Sequence, residues 1–331
     1  MGHALLQRLK INVVPVIKVY HGFGTGEHMS LFGHVLGISP QRQQRFSSRF
    51  WKNTLSLLRL FFIRPVPGVT VQLKWQDQLV EATTDETGFF HLSWTPQQDV
   101  TEGWHQVRVQ LTGNRHLSGT GRLFVPHPGN YAIVSDIDDT FLVSHSANLL
   151  KRLYILLTSN ARTRKPFESV VKHYQLLAKG DNGHPAPRPF FFVSSSEWNL
   201  YDYIREFSDR HKLPEGVYLL SRIKQLHEFT KTGRGKHRAK YFRIARLLLT
   251  YPEKQFILLG DDSQEDPAIY HQLVIDFPGR IICVYIRHVR SSRLQGTRIY
   301  EAAMKDVGVE ICYFTHSETA IEHSRRIGLI S

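Results

Sequence analysis

From residue 131 onward the chain repeats one pattern, a short and nearly continuous apolar run followed by a longer stretch with helical spacing. The runs are residues 131–135, 190–194, 217–220, 255–260 and 281–286. Helical patterns occupy 147–157, 166–179, 200–210, 236–250 and 267–277. Strands that are apolar at every position are covered on both faces, and their alternation with helices implies a parallel sheet. Before residue 126 the texture differs. Residues 11–20, 69–75, 88–94 and 104–111 form short runs. Val69, Val71, Leu73 and Trp75 alternate with Thr70, Gln72 and Lys74, the period of a half-buried strand. The sequence therefore predicts an α/β chain: an N-terminal, mainly β, sandwich-like domain over residues 1–128, with a basic helical insertion near 40–64, then a parallel-sheet domain over 129–331.

Hydrophobic residues make up 41% and charged residues 21% of the 331, a balance that excludes wholesale disorder. Forty-two Lys+Arg against 29 Asp+Glu give a net charge of +13, which favours polyanionic company: nucleic acid, an anionic membrane surface or phosphorylated substrates. Part of this charge is concentrated. Between residues 40 and 64, Arg42, Arg45, Arg49, Lys52, Arg59 and Arg64 accompany Phe46, Phe50, Trp51, Leu57 and Leu58, with no acidic residue. Such a helix either lies on an anionic membrane or packs on the β domain with its basic face in water, the commoner arrangement. Nucleic acid is the less favoured partner, because no recognised binding module accompanies the segment. No apolar stretch is long enough to cross a bilayer and the first ten residues lack a cleavable signal pattern, so a cytoplasmic protein with at most peripheral membrane contact is expected.

Cys283 and Cys312 lie in apolar, strand-like runs outside any CxxC pair. They read as buried, reduced thiols, with a single bridge between them as the alternative. Residues 22–26 are glycine-rich, but no helical pattern follows, so a turn between strands is preferred over a nucleotide loop. His21, His28 and His34 fall close together in a spacing that matches no zinc motif.

The candidate chemistry lies where the apolar runs end, the place where parallel sheets bind their ligands. The first run ends in Ser135-Asp136-Ile137-Asp138-Asp139-Thr140. In extended chain, residues two apart point the same way, so Asp136 and Asp138 can reach one small volume. Carboxylates that close repel unless a cation joins them or one is protonated, and Mg²⁺ takes one or two carboxylates together with water and phosphate oxygens. The second run ends in Ser194-Ser195-Ser196, hydroxyls and amides suited to a phosphate oxygen. Gly233-Arg234-Gly235-Lys236 opens a helix with a cation, and the fourth run ends in Gly260-Asp261-Asp262, with Asp266-Pro267 following. Taken singly, the first motif could be a solvated acidic turn and Lys236 a surface lysine. The order DxDxT, Ser, Lys, GD is the specific signal.

In that order the chain resembles the haloacid dehalogenase superfamily of phosphohydrolases, and more closely the actin-patch-associated phosphatidate phosphatase catalytic-domain family. The residues that carry the resemblance also include Trp198, Tyr201, His237, Ser263, Tyr270 and Tyr285-Ile286-Arg287. The family pattern has Asn where Ser195 stands, Pro where Glu197 stands, and Ser-Gly where Asp262-Ser263 stand; none of these departures removes an essential group. The resemblance implies a Rossmann-like catalytic domain that hydrolyses a phosphomonoester, phosphatidate to diacylglycerol, with Mg²⁺. It makes Asp136 the nucleophile, Asp138 the general acid and base, and Thr140 a support of the nucleophile loop. Ser194, Ser195 and Lys236 would bind phosphate, while Asp136, the Asp138 carbonyl and Asp261 would hold the metal. Asp262 and Asp266 would act behind them, with the choice between Asp261 and Asp262 as ligand open. Little chain remains between the motifs for a large lid, so an open site is expected, able to admit lipids or phosphoproteins. Two other readings stand beside this one: a phosphatase for soluble phosphomonoesters or phosphorylated macromolecules, and an inactive membrane- or nucleic-acid-binding protein. Oligomeric state is not legible.

Overall fold

The computed structural model describes residues 14–38, 64–137, 164–180, 186–221, 235–262, 265–288 and 294–331. The chain divides into two compact units, with the division at Pro126/His127. The insertion near 40–64 lies outside the described residues, except Arg64, which is exposed and opens a two-residue strand.

The first unit consists of strands β1 (Val14–Val19), β2 (Gly22–Gly24), β3 (Met29–Ile38), β4 (Arg64–Pro65), β5 (Thr70–Trp75), β6 (Gln78–Thr83), β7 (Phe89–Trp94), β8 (Gly103–Leu111) and β9 (Asn114–Val125). All nine are hydrogen-bonded into one sheet in the order β1-β3-β2-β9-β8-β5-β6, with β4 and β7 also paired to β3. Pairing is antiparallel except between β2 and β9. One core gathers Ile17, Leu31, Leu73, Phe90, Val107 and Leu123 from strands far apart in this order, so the sheet folds over on itself. The alternation read in β5 is its burial pattern, with Val71, Leu73 and Trp75 inside. The glycine-rich stretch is β2 and the turn after it. A Cβ on Gly22 would stand 2.5 Å from the Ser30 carbonyl oxygen, so glycine is required here by the closeness of β3. His34 is buried against the Tyr20 hydroxyl at 3.1 Å; burial, partly opposed by Asp85, pushes its pKa down to about 4 and keeps it neutral.

The second unit alternates strand and helix: β10 (Tyr131–Asp136), α1 (Arg164–Lys179), β11 (Phe190–Glu197), α2 (Tyr201–Arg210), β12 (Val217–Ser221), α3 (Gly235–Thr250), β13 (Gln255–Asp261), α4 (Asp266–Asp276), β14 (Ile281–Arg287), α5 (Leu294–Asp306), β15 (Glu310–Phe314) and α6 (Ser317–Arg326). The six strands form a wholly parallel sheet in the order β12-β11-β10-β13-β14-β15. Each predicted apolar run is a strand, and Phe190–Val193 and Phe256–Leu259 are at most 2% exposed, as two-sided cover requires. The strands outlast the apolar runs: β10, β12, β13 and β14 end on Asp136, Ser221, Asp261 and Arg287. The helical pattern at 147–157 lies outside the described residues.

Cys283 and Cys312 are both free and buried. They are on neighbouring strands but not opposite one another, since Cys283 faces Glu310 and Cys312 faces Tyr285. Burial pushes both thiols up, Cys312 to about 11 and Cys283 further, so neither is a thiolate at neutral pH.

Sheet growth reverses at β10: the chain adds β11 and β12 on one side, then returns to add β13, β14 and β15 on the other. Such a reversal opens a crevice at the carboxyl ends of the strands, between the helices that leave in opposite directions. Both acidic strand ends, on β10 and β13, border that position.

Candidate active site

Asp136 is the last residue of β10 and is fully buried. Its backbone is fixed from behind: the Tyr174 hydroxyl of α1 lies 2.8 Å from Ser135 Oγ, which in turn donates to the Asp136 carbonyl oxygen at 2.9 Å. Val193 of β11 is its register partner, so Ser194, also fully buried, stands one residue beyond it at the neighbouring strand end. On the other side Ser135 pairs with Leu259, which brings Gly260 and Asp261 of β13 to the same edge.

A buried lysine joins these ends. Lys240, 2% exposed, reaches Asp136 Oδ1 with its Nζ at 2.9 Å and also contacts Asp266 Oδ1. Burial works against its charge, but Asp136 and Asp266 overcome that and hold its pKa above the ordinary lysine value. The second oxygen of Asp266 accepts the Asp261 backbone N–H at 3.4 Å. Asp266 thereby ties α4 to the end of β13 and to Lys240 at once. Tyr270 of α4 donates to the Leu259 carbonyl oxygen at 2.9 Å. Burial, and then Asp266, Asp136, Tyr174 and Asp261, push its pKa well above 10, so it stays a donor.

Gly260 lies under this cluster. A Cβ there would strike the Asp266 carboxylate and stand 2.8 Å from the Tyr270 hydroxyl. Gly260→Ala is therefore expected to destabilise the protein by about 1–3 kcal/mol and to reduce turnover by displacing Asp266. Thermal unfolding beside phosphate release checks both effects; wild-type values of both would show that Asp266 can yield without consequence.

The adjacent acids do different things. Asp262 is buried and paired with His288 Nδ1, and its backbone N–H donates to the Arg287 carbonyl oxygen at 3.0 Å. Asp261, on the other side of the extended chain, shares the cluster with Asp136 and Asp266. Arg287, half-buried, is the register partner of Asp261; burial lowers its pKa, with Tyr174 and Asp261 acting the other way. At Ser194 the β11–β12 register shifts between Val193 and Glu197. Arg243 of α3 spans this irregularity, donating to the Ser194 carbonyl oxygen at 3.2 Å and to Ser221 Oγ at 2.8 Å. Arg243 thus links the backbone of the phosphate-binding candidate to the end of β12.

Asp136, Ser194, Asp261 and Asp266 are therefore brought to one edge, whereas Asp262 turns to His288. Asp138 and Thr140 lie outside the described residues, as do the side chains of Ser195 and Lys236. The backbone of Lys236 is in the first turn of α3, one helical turn before Lys240. Lys240 is the functional candidate that the sequence reading missed. Its signal was present: Lys240, Ile244, Leu247, Leu248 and Tyr251 follow helical spacing, and all five are buried. A lysine on a core stripe needs buried acids to pair with.

Among the described residues, no set of three or more His, Cys, Asp or Glu side chains is arranged to hold a metal ion. The donors are nevertheless of one kind, carboxylate oxygen. Asp136, Asp261 and Asp266 are fully buried, against Lys240 and the half-buried Arg287 as fixed cations, with Asp262 paired aside to His288. Such an excess of buried negative charge suits a hard divalent cation.

These features define a class, a parallel α/β unit whose topological switch point carries a lysine-bridged cluster of aspartates. Residues 131–288 match the model of the family described as phosphatidate phosphatase APP1, catalytic domain. Phosphatidate phosphatase APP1 of Saccharomyces cerevisiae is 25% identical over 195 residues, 54% of this chain and 30% of that protein. An uncharacterized protein of Schizosaccharomyces pombe is 25% identical over 165 residues, 48% of this chain and 25% of that protein. The chain thus spans less than a third of either relative's length. Among solved structures, the flavohem-like FAD/NAD binding domain of a Vibrio cholerae nitric oxide dioxygenase superposes with a TM-score of only 0.20 at 8% identity, over 84% of this chain and 100% of that one. No described helix is long and apolar enough to cross a membrane.

Proposed function

We propose that this chain is a Mg²⁺-dependent phosphatase that hydrolyses phosphatidate to diacylglycerol and phosphate through an aspartyl-phosphate on Asp136. The observation that carries the reading is the Asp136–Lys240–Asp266 bridge at the switch point of the parallel sheet. The match of residues 131–288 to the phosphatidate phosphatase APP1 catalytic-domain model supports the substrate class. The motif order and the strand order support the finer placement within the haloacid dehalogenase superfamily.

In this mechanism an Asp136 carboxylate oxygen attacks phosphorus, and the bond to the leaving oxygen breaks as Asp138 gives it a proton. Asp138 then takes a proton from water, which attacks phosphorus and releases phosphate, restoring Asp136. Lys240 keeps Asp136 ionised and oriented, since its pair with Asp266 allows it little freedom. Ser194, one residue beyond the register partner of Asp136, would donate to a transferring phosphoryl oxygen. We assign the cationic role that the resemblance gave to Lys236 to Lys240, on the strength of its two aspartate contacts. Mg²⁺ would be held by Asp136, Asp261 and the Asp138 carbonyl, and when bound it supplies charge neutralisation on the phosphoryl oxygens.

The test compares phosphate release from dispersed short-chain phosphatidate, phosphatidate in liposomes and a panel of soluble phosphomonoesters. Phosphatidate is expected to be the preferred substrate; EDTA is expected to stop the reaction and Mg²⁺ to restore it. Full activity in EDTA after removal of tightly bound metal would sink the metal assignment. A clear preference for a soluble monoester would replace the lipid by that substrate.

A further inference from the structure

The face of α3 turned away from Lys240 carries a stripe that catalysis does not use. Arg238, Phe242, Arg246 and Leu249 are all exposed, Phe242 at 55% and Leu249 at 70%. Their helical spacing puts them along one side, with cation and apolar group alternating. The Arg238 guanidinium lies 5.7 Å from the centre of the Phe242 ring. No acidic residue occurs anywhere in α3. The neighbouring α4 adds Ile275, also 55% exposed, while the adjacent Asp276 carboxylate is taken by the Tyr241 hydroxyl of α3. The buried face of the helix, Ile244, Leu247 and Leu248, is complete without any of these residues.

We propose that this stripe docks the protein on an anionic lipid surface, with Phe242 and Leu249 entering the headgroup–acyl boundary and Arg238 and Arg246 meeting lipid phosphates. The inference rests on the phosphatidate reading above and names the surface on which that substrate is met. Charge selects the occupant. A two-fold contact between copies would set Arg238 and Arg246 against the same arginines. A nucleic acid strand would satisfy the arginines but leave aliphatic Leu249 and Ile275 in water, since bases stack on aromatic rings. A bilayer with anionic headgroups accepts both kinds of group at once, as for other amphipathic helices with basic polar faces. Lys240 lies between Arg238 and Phe242 in sequence and reaches Asp136 from the opposite side, so one helix carries both the stripe and the bridging lysine.

The test is co-sedimentation of the full chain with phosphatidylcholine vesicles and with equimolar phosphatidylcholine–phosphatidylserine vesicles, at low and high salt. The wild type is expected to bind the anionic vesicles, to bind less as salt rises, and to leave the neutral ones in solution. Arg238→Gln/Arg246→Gln is expected to weaken binding about tenfold or more, the scale of two cations at a charged surface. Phe242→Ser/Leu249→Ser is expected to weaken it comparably. Both variants are expected to keep wild-type unfolding temperature and wild-type turnover of a soluble phosphomonoester. Equal binding by wild type and folded variants overturns the proposal. So does a wild-type dimer that the Phe242→Ser/Leu249→Ser variant loses, which would give the stripe to a second copy. The two readings fail separately: stripe-dependent binding without phosphate release from any substrate refutes the enzyme and supports the docking face. Phosphatidate hydrolysis without vesicle binding does the reverse.

Discussion

Asp136→Asn is expected to lower phosphate release by about 10⁴-fold or more, the scale seen when a group acting covalently is removed. The amide fills the same space but has no anionic oxygen to attack phosphorus. Asp136 is fully buried at the end of β10, and its backbone is held through Ser135 and Tyr174, neither of which the change touches. Lys240 keeps its contact with Asp266 in the variant, so the ammonium is not stranded. The protein is therefore expected to stay folded, and unfolding temperature measured beside turnover separates lost chemistry from lost structure. Turnover close to wild type in the folded variant would exclude Asp136 as nucleophile. The coupling of β10, α3 and α4 around it would then be structural only.

Lys240→Met is expected to damage both activity and stability. Methionine matches the length of the side chain but leaves Asp136 and Asp266 as buried acids without their shared cation. Breaking one partner out of a buried ion pair costs about 3–5 kcal/mol, far more than a surface bridge. Turnover is expected to fall by about 10²-fold or more through the misplaced nucleophile. The pH dependence has a definite sign. The folded-state pKa of Lys240 is raised above its ordinary value of 10.5, so its stabilising contribution is complete below that value and declines only as pH rises through the higher folded value. Wild-type stability and activity are thus expected to show no alkaline loss from this lysine across the neutral range. Lys236→Met is the comparison. If it abolished turnover while Lys240→Met remained active and stable, the cationic role would return to Lys236.

The second unit was legible in the sequence to a large extent because its strands are buried on both faces. Two-sided burial leaves continuous apolar runs such as Phe190–Val193, and a polar residue at the end of such a run marks the strand's carboxyl edge. Asp136, Ser194 and Asp261 could be nominated on that ground alone. α5 and α6 were not read, for both are mostly polar, and α5 exposes Ile299 at 73%. The first unit was legible as β wherever one face alone is buried, as in β5. The pairing of nine strands into one folded-over sheet depends on contacts between distant segments, such as β2 with β9, that leave no local period.

By itself, then, the sequence determined which residue types stand at the strand ends and in what order, because local burial and side-chain direction are written in apolar periodicity. It left the choice between Asp261 and Asp262 open, and it named Lys236 while passing over Lys240. Each pair is near in sequence and chemically identical. The tertiary structure adds what lies opposite: His288 beside Asp262, and Asp136 and Asp266 beside Lys240. Charged groups in a buried site are selected by their partners, and those partners arrive from other strands and helices.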